Sequence, residues 1–145
     1  EVSTGKELLK IFNEKDNPDI VAVDEAFMIE GVGKVLVDLF RKGTTVIVSS
    51  LQLSSWGEPF IEMKEILPWA TKIEICPAVC PISGRDAYYS FCKRDRRDGI
   101  LVGGAESYEP RSFQHHKYVK NTIKNEPLDV WDTMPTEQLE GAKNA

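Results

Sequence analysis

IVAVDEAFMIEGVGKVLVDLFRKGTTVIVS, residues 20–49, decides the fold. Its first four residues are apolar, three of them β-branched, and they end on Asp24 and Glu25. A short apolar run of this kind suits a strand buried on both faces, as in a parallel sheet. From residue 29 to residue 41 the period changes. Val32, Val35, Leu36 and Leu39 fall on one helical face, with Lys42 and Gly43 at the expected stop. A second apolar run, residues 45–49, follows at once. Strand, helix and strand with short connections predict a βαβ unit rather than a hairpin.

Working outward, STGKELLKIFNEK has Ser3 or Thr4 as a cap and Leu8, Leu9 and Phe12 at helical spacing, before Asn17 and Pro18 break it. Downstream, residues 59–69 read as a third helix and residues 72–75 as a third strand. The character then changes. Residues 76–98 are rich in Cys, Pro, Gly and basic side chains, and residues 100–102 return to apolar before Gly103 and Gly104. This predicts a small peripheral subregion with a long loop closed by two short strands. The tail beyond Asn125 is polar, with Leu128, Val130 and Trp131 as docking residues, and is expected to be mobile from Thr136 onward. The division is therefore an α/β core over 1–75, a subregion over 76–125 and a tail over 126–145.

A chain of 145 residues is long enough for one domain with a real core. A net charge of -5 argues against the broad basic surface that nonspecific nucleic-acid binding uses. No apolar run reaches the ~20 residues of a membrane span. Cys76, Cys80 and Cys92 are an odd, sparse set that suits a reducing compartment, and a cytoplasmic location is expected. The chain opens on Glu1 rather than Met, as a trimmed or processed chain or a piece of a longer protein does.

Asp24 and Glu25 are the clearest chemical candidates. Ligands of open α/β sheets gather beyond the carboxyl ends of strands. There one carboxylate can hold magnesium through water while its neighbour orients or deprotonates a hydroxyl. The alternative is that the pair merely caps backbone amides at a helix start.

The blocks VDEAF, VIVSSLQLSSWGEPF, the AVC ending at Cys80 and LVGGAESYEP, in that order and spacing, resemble the thymidine kinase family of the cellular and bacterial type with a zinc-bearing lasso. The resemblance covers roughly residues 18–120 and implies a P-loop-kinase-like (RecA-like) parallel-sheet core, truncated at its N-terminus, followed by a small lasso subdomain. It implies ATP and Mg2+ as co-substrate and cofactor, thymidine or a related deoxynucleoside as substrate, and a homo-oligomer, a tetramer in the family. By position, Glu25 matches the general base for the nucleoside 5′-hydroxyl, and Asp24 the acidic residue ending the Walker-B-like strand. Met28 and Leu51 match residues lining the base pocket, residues from Ser90 through Leu101 fall in the lasso, and Tyr108 matches the tyrosine that contacts the nucleoside. Gly103 and Gly104 then permit close backbone approach to the ligand. Without the resemblance, Met28 and Leu51 would read as core residues, and Gly103 and Gly104 as a turn.

Three departures stand out. There is no G-x-x-x-x-G-K-[ST] phosphate loop, and Thr4-Gly5-Lys6 reads as a helix start, so this chain alone is expected not to turn over ATP. Ser55 stands where the family has a stacking Phe, with Trp56 beside it either replacing that ring or packing outward, and Gln52 and Leu53 replace an Asp-Gly pair. Of the family's zinc ligands, Cys80 and His115 keep donors, but Ser83 and Ser112 replace cysteines. Neutral serine is a poor zinc ligand. The expectation is that zinc is lost, with Pro77, Pro81 and the packing of Ile82 and Phe113 stiffening the region. A rearranged set of Cys76, Cys80, His115 and His116 is the other way to complete a site. The basic run from Lys93 to Asp98 reads as a solvated, mobile loop tip, with attraction of nucleotide phosphates or of an acidic subunit surface as the alternative, and not as a nucleic-acid surface. Two rival functions remain beside a thymidine kinase part: a noncatalytic nucleoside-binding or regulatory module, and a kinase for another pyrimidine deoxynucleoside.

Overall fold

The computed structural model describes residues 1–94 and 104–119. The first helix, α1 (Gly5–Glu14), starts where the Thr4 hydroxyl accepts the Glu7 amide, while the Glu7 carboxylate reaches back to the Ser3 amide at 2.7 Å. This reciprocal arrangement satisfies amides that the first helical turn leaves unpaired. Gly5 is buried against the start of the next helix. A Cβ there would lie 2.5 Å from the Gly31 carbonyl oxygen. Thr4-Gly5-Lys6 is thus a capped helix start at a close helix contact.

Strand β1 (Ile20–Val23) and strand β2 (Thr45–Val48) pair in parallel, with Ile20 opposite Thr45 and Val23 opposite Val48. Between them run a 3-10 turn, Ala26–Met28, and helix α2 (Val32–Arg41). Phe12, Val21, Val23, Ala26, Ile29, Val32, Leu36 and Leu39 form the buried core, flanked by Leu8, Val46, Val48 and Ile66. The helices therefore cover one face of the pair. The expectation of burial on both faces is corrected: β1 alternates exposed and buried, and Ile20 and Ile47 on the outer face are 60% and 57% exposed. The apolar run reflects the intrinsic preference of β-branched residues for strands, which does not report which face is covered.

Helix α3 (Ile61–Ile66), continued by a 3-10 turn at Leu67–Trp69, packs on α2. Its buried Glu62 accepts the Gly31 amide at 2.7 Å and the Gly33 amide at 2.6 Å, one on each carboxylate oxygen. A carboxylate at a helix N-terminus satisfies orphan amides and complements the helix dipole. A Cβ at Gly33 would lie 2.9 Å from Glu62 backbone and side-chain oxygens, so the glycine is what lets α3 approach.

The predicted third strand is also corrected. Residues 72–75 carry no strand, and Ile73 and Ile75 are 58% and 59% exposed. The alternation of Lys72, Ile73, Glu74 and Ile75 mimics a half-buried strand, but no strand pairs with it among the described residues. The peripheral subregion contains two antiparallel pairs: β3 (Ala78–Val79) with β4 (Asp86–Ala87), and β5 (Tyr89–Cys92) with β6 (Tyr108–Arg111). The second pair brings residues 89–92 beside residues 108–111, and residues 95–103 between them, which carry most of the predicted loop and of the basic run, lie outside the described residues. Leu101, Gly103 and residues 120–145, including the tail, lie outside the described residues.

Breaking the Glu62 contact tests how far α2 depends on it. Glu62→Gln keeps one good acceptor and is expected to cost about 1–2 kcal/mol, whereas Glu62→Ala orphans two amides and is expected to cost about 3 kcal/mol or more. Urea unfolding of the two variants checks the order and the gap.

Candidate functional site

The carboxyl ends of β1 and β2 meet in a small polar junction. The Ser49 amide donates to the Val23 carbonyl at 2.9 Å, the Ala26 amide to the Ser49 carbonyl at 3.3 Å, and the Phe27 amide to the Ser50 hydroxyl at 3.1 Å. These bonds clip the turn after β1 to the end of β2. Asp24 and Glu25 sit on that turn, both exposed. The Asp24 carboxylate accepts the Glu25 amide at 2.9 Å. The capping alternative is therefore met in part, because one Asp24 oxygen holds the turn.

Glu25 adopts the left-handed conformation, with φ 51° and ψ 41°. A β-carbon makes that region costly, by about 1 kcal/mol or more. Glu25 makes no side-chain cap bond to the following 3-10 turn. A strained backbone carrying an exposed carboxylate at a strand end is the site's most telling feature.

Met28 and Leu51 flank this turn and are 41% and 45% exposed. The core reading of these two residues is thereby corrected: they are open to solvent beside the acidic pair. Phe27 and Phe60 pack against each other with tilted rings, centroids 4.7 Å apart. Ser55 and Trp56 lie in a tight loop in which the Ser54 hydroxyl accepts the Trp56 and Glu58 amides, and Leu53 bridges to Pro59. Trp56 packs edge-on against Tyr118, centroids 4.5 Å apart. Of the two placements the sequence leaves open for Trp56, the ring takes one against the subregion.

On the subregion, Ser90 pairs with Pro110 and Tyr108 with Cys92, and the Ser90 carbonyl receives His116 Nε2 at 2.9 Å. His116 is fully buried, and its Nδ1 accepts the Val119 amide at 3.3 Å. The Gly104 amide is used internally by Glu106 at 2.8 Å, and the Gly104 carbonyl accepts the Ser107 and Tyr108 amides. The Glu106 backbone amide first, and then the Gly104 amide, hold the Glu106 carboxyl below the usual carboxylate range against a smaller opposing effect of burial, with Arg94 and Lys93 adding to the lowering. Lys93 donates to the Ala105 carbonyl at 2.6 Å and faces Glu109, so the first residue of the basic run closes the hairpin mouth.

The donors at the family's zinc positions do come together. Ser112 Oγ lies 3.0 Å from His115 Nδ1 and 3.4 Å from Ser83 Oγ. Cys80 is fully buried beside them. Burial is the largest influence on its thiol and raises its pKa. Hydrogen bonds from the side chains and backbone of Ser83 and Ser112 outweigh that and bring it from 9.0 down to about 6. With two serines in four positions, this donor set does not fit a structural zinc ion. The rearranged set fares no better. Cys76 is exposed, both ring nitrogens of His116 are engaged, and among the described residues no group of three His, Cys, Asp or Glu side chains is placed to hold a metal. Ile82 and Phe113, expected to stiffen the region, are 55% and 46% exposed. Two shallow depressions of about 470 Å³ and 300 Å³ open beside this cluster, around Arg85 and Gln114. Neither includes Asp24 or Glu25, so chemistry rather than volume marks the acidic turn.

Sequence reading missed Ser50, Phe60, Glu62 and Tyr118. The serine pair closing a β-branched run was a usable signal for Ser50, since hydroxyls at strand ends cap neighbouring turns. Nothing local distinguishes Glu62 from any other helix acid.

Strain at residue 25 has a direct test. Glu25→Gly is expected to be more stable than Glu25→Ala by about 1 kcal/mol, because only glycine accepts the left-handed region freely. Equal stability of the two in chemical denaturation would show that residue 25 is not held there.

The chain is 35% identical over 119 residues to the thymidine kinase of Thermococcus kodakarensis, an alignment covering 77% of this chain and 60% of the relative. It is 33% identical over 107 residues to the thymidine kinase of Mycoplasma genitalium (71% and 50% covered) and 30% identical over 122 residues to that of Onion yellows phytoplasma (79% and 57% covered). The chain thus spans between half and three-fifths of the length of these relatives. The family model described as thymidine kinase matches residues 2–116, and the chain belongs to the thymidine kinase family.

Proposed function

We propose that this chain is the nucleoside-binding and general-base part of a thymidine kinase, with Glu25 as the base. The observation that carries the reading is the exposed Glu25 carboxylate, held in a left-handed turn where β1 and β2 end together. Glu25 accepts the proton of the nucleoside 5′-hydroxyl. The freed oxygen attacks the γ-phosphorus of ATP, the bond to the β-phosphate oxygen breaks, and ADP leaves. Asp24, whose carboxylate also accepts the Glu25 amide, would hold the magnesium ion. Magnesium, when bound, neutralises charge on the phosphates. A glycine-rich phosphate-loop motif does not occur in these 145 residues. Met28 and Leu51 line the base pocket, and Ser90, Leu101, Gly103, Gly104 and Tyr108 contribute from the lasso side, in an oligomer that is tetrameric like the family.

A second reading concerns specificity. Ser55 offers no ring, and Trp56 is committed to Tyr118. A wider pocket follows, which favours another pyrimidine deoxynucleoside over thymidine.

The test is phosphoryl transfer from labelled ATP to a panel of pyrimidine deoxynucleosides, with the chain completed by its phosphate-binding segment. Glu25→Gln is expected to lower kcat by about 10²–10⁴-fold with little change in KM. Full activity of Glu25→Gln would overturn the assignment of the base. Transfer to a pyrimidine other than thymidine would select the second reading.

A further inference from the structure

The cluster of Cys80, Ser83, Ser112 and His115 raises a question of proton inventory that is independent of the catalytic reading. A tetrahedral zinc site gathers proton-free donors, thiolate sulfur and imidazole nitrogen, and needs the cation to hold them together. A serine hydroxyl differs because it both donates and accepts. Ser112 Oγ shares hydrogen bonds with His115 Nδ1 at 3.0 Å and with Ser83 Oγ at 3.4 Å, and the buried Cys80 lies beside them. Each hydroxyl can give one hydrogen bond and take another, so the contacts close without a cation.

The backbone around it is consistent with a closed unit. The Cys80 amide donates to the Arg85 carbonyl at 2.8 Å, the Gly84 amide to the Cys80 carbonyl at 2.8 Å, and the Arg85 amide to Ser83 Oγ at 3.4 Å. From the other side, the His115 amide donates to the Ser112 carbonyl at 3.0 Å, and Arg111 reaches the His115 carbonyl at 3.2 Å. Cys80 and Ser112 are buried, yet no buried side-chain nitrogen or oxygen among the described residues lacks a partner. A donor set waiting for a cation would leave such atoms orphaned.

We propose that residues 80–83 and 112–115 form a metal-free knuckle, in which the hydroxyls of Ser83 and Ser112 close by hydrogen bonding the four-cornered cluster that a zinc ion would otherwise close. Its geometry remains that of a latent metal site. Exchanging both serines for cysteines removes the donated protons, supplies two sulfur ligands and recreates the demand for a cation.

Zinc content and thermal unfolding of the purified chain test this together. The unaltered protein is expected to carry well under about 0.1 zinc per chain after growth with added zinc, and EDTA is expected to leave its Tm unchanged. Ser83→Cys/Ser112→Cys is expected to take up about one zinc per chain and to gain a Tm increment that EDTA removes. Ser112→Ala, which removes the hydroxyl shared with His115 and Ser83, is expected to lower Tm by about 4 °C or more. Stoichiometric zinc in the unaltered protein would overturn the proposal, as would a folded double variant that takes up none. If the double variant fails to fold, the other two measurements decide: an unmoved Tm in Ser112→Ala sinks the hydrogen-bonded knuckle.

Discussion

The parallel register that sets Val23 opposite Val48 is the constraint on which the rest of this chain depends. Side chains alternate along a strand, so a slip of one residue would turn Val21 and Val23 away from Phe12, Leu36 and Leu39. The same register brings the residues after both strands to one place. Ser49 and Ser50 can bind the turn at residues 24–27 only because β2 ends level with β1. Core packing and the position of the acidic pair are therefore consequences of one pairing. The cost of holding Glu25 in a left-handed turn is borne by that pairing and by the helices that bury its inner face.

Two further contacts extend this frame. Glu62 fixes the start of α2 from α3, which sets the connection running back from the acidic turn into the core. Trp56 on Tyr118 joins the loop after β2 to the subregion, and Tyr118 continues into Phe91 and His116. Aromatic edge-to-face packing of this kind is directional, and it fixes the loop at residues 53–59 against the segment at residues 116–119. The loop that carries Ser55 and Trp56 is thus the one that touches Tyr118. Change at Ser55 and Trp56 and change in the knuckle belong to neighbouring parts of one structure.

Much of this was legible in the residues. The change from a short apolar run to helical period and back read correctly as β1, α2 and β2, and a cap at Ser3 or Thr4 proved to be Thr4, because those signals are local. Residues 72–75 misled for the same reason: alternation is local, while a strand needs a partner, and a partner is not written in four residues. Glu62 was silent because its role depends on two glycine amides some thirty residues earlier. The position of Asp24 and Glu25 at the end of a strand was visible in the sequence, but the left-handed backbone at Glu25 was not, since nothing in a glutamate announces positive φ. At the knuckle, Ser83 and Ser112 announced a poor zinc donor set. Their mutual contact, which makes the substitution work, appears only when β3, β4 and the turn after β6 are folded together.

A pyrimidine nucleoside site around the acidic turn would show itself in isothermal titration of the chain with thymidine and with other pyrimidine deoxynucleosides, each with and without ATP and magnesium. Saturable binding of at least one of them is expected, insensitive to ATP, and weakened when Leu51 or Met28 is replaced by a charged residue. Absence of binding to every nucleoside in the panel by the folded chain would contradict it, leaving the family membership in place and removing the nucleoside site from these residues.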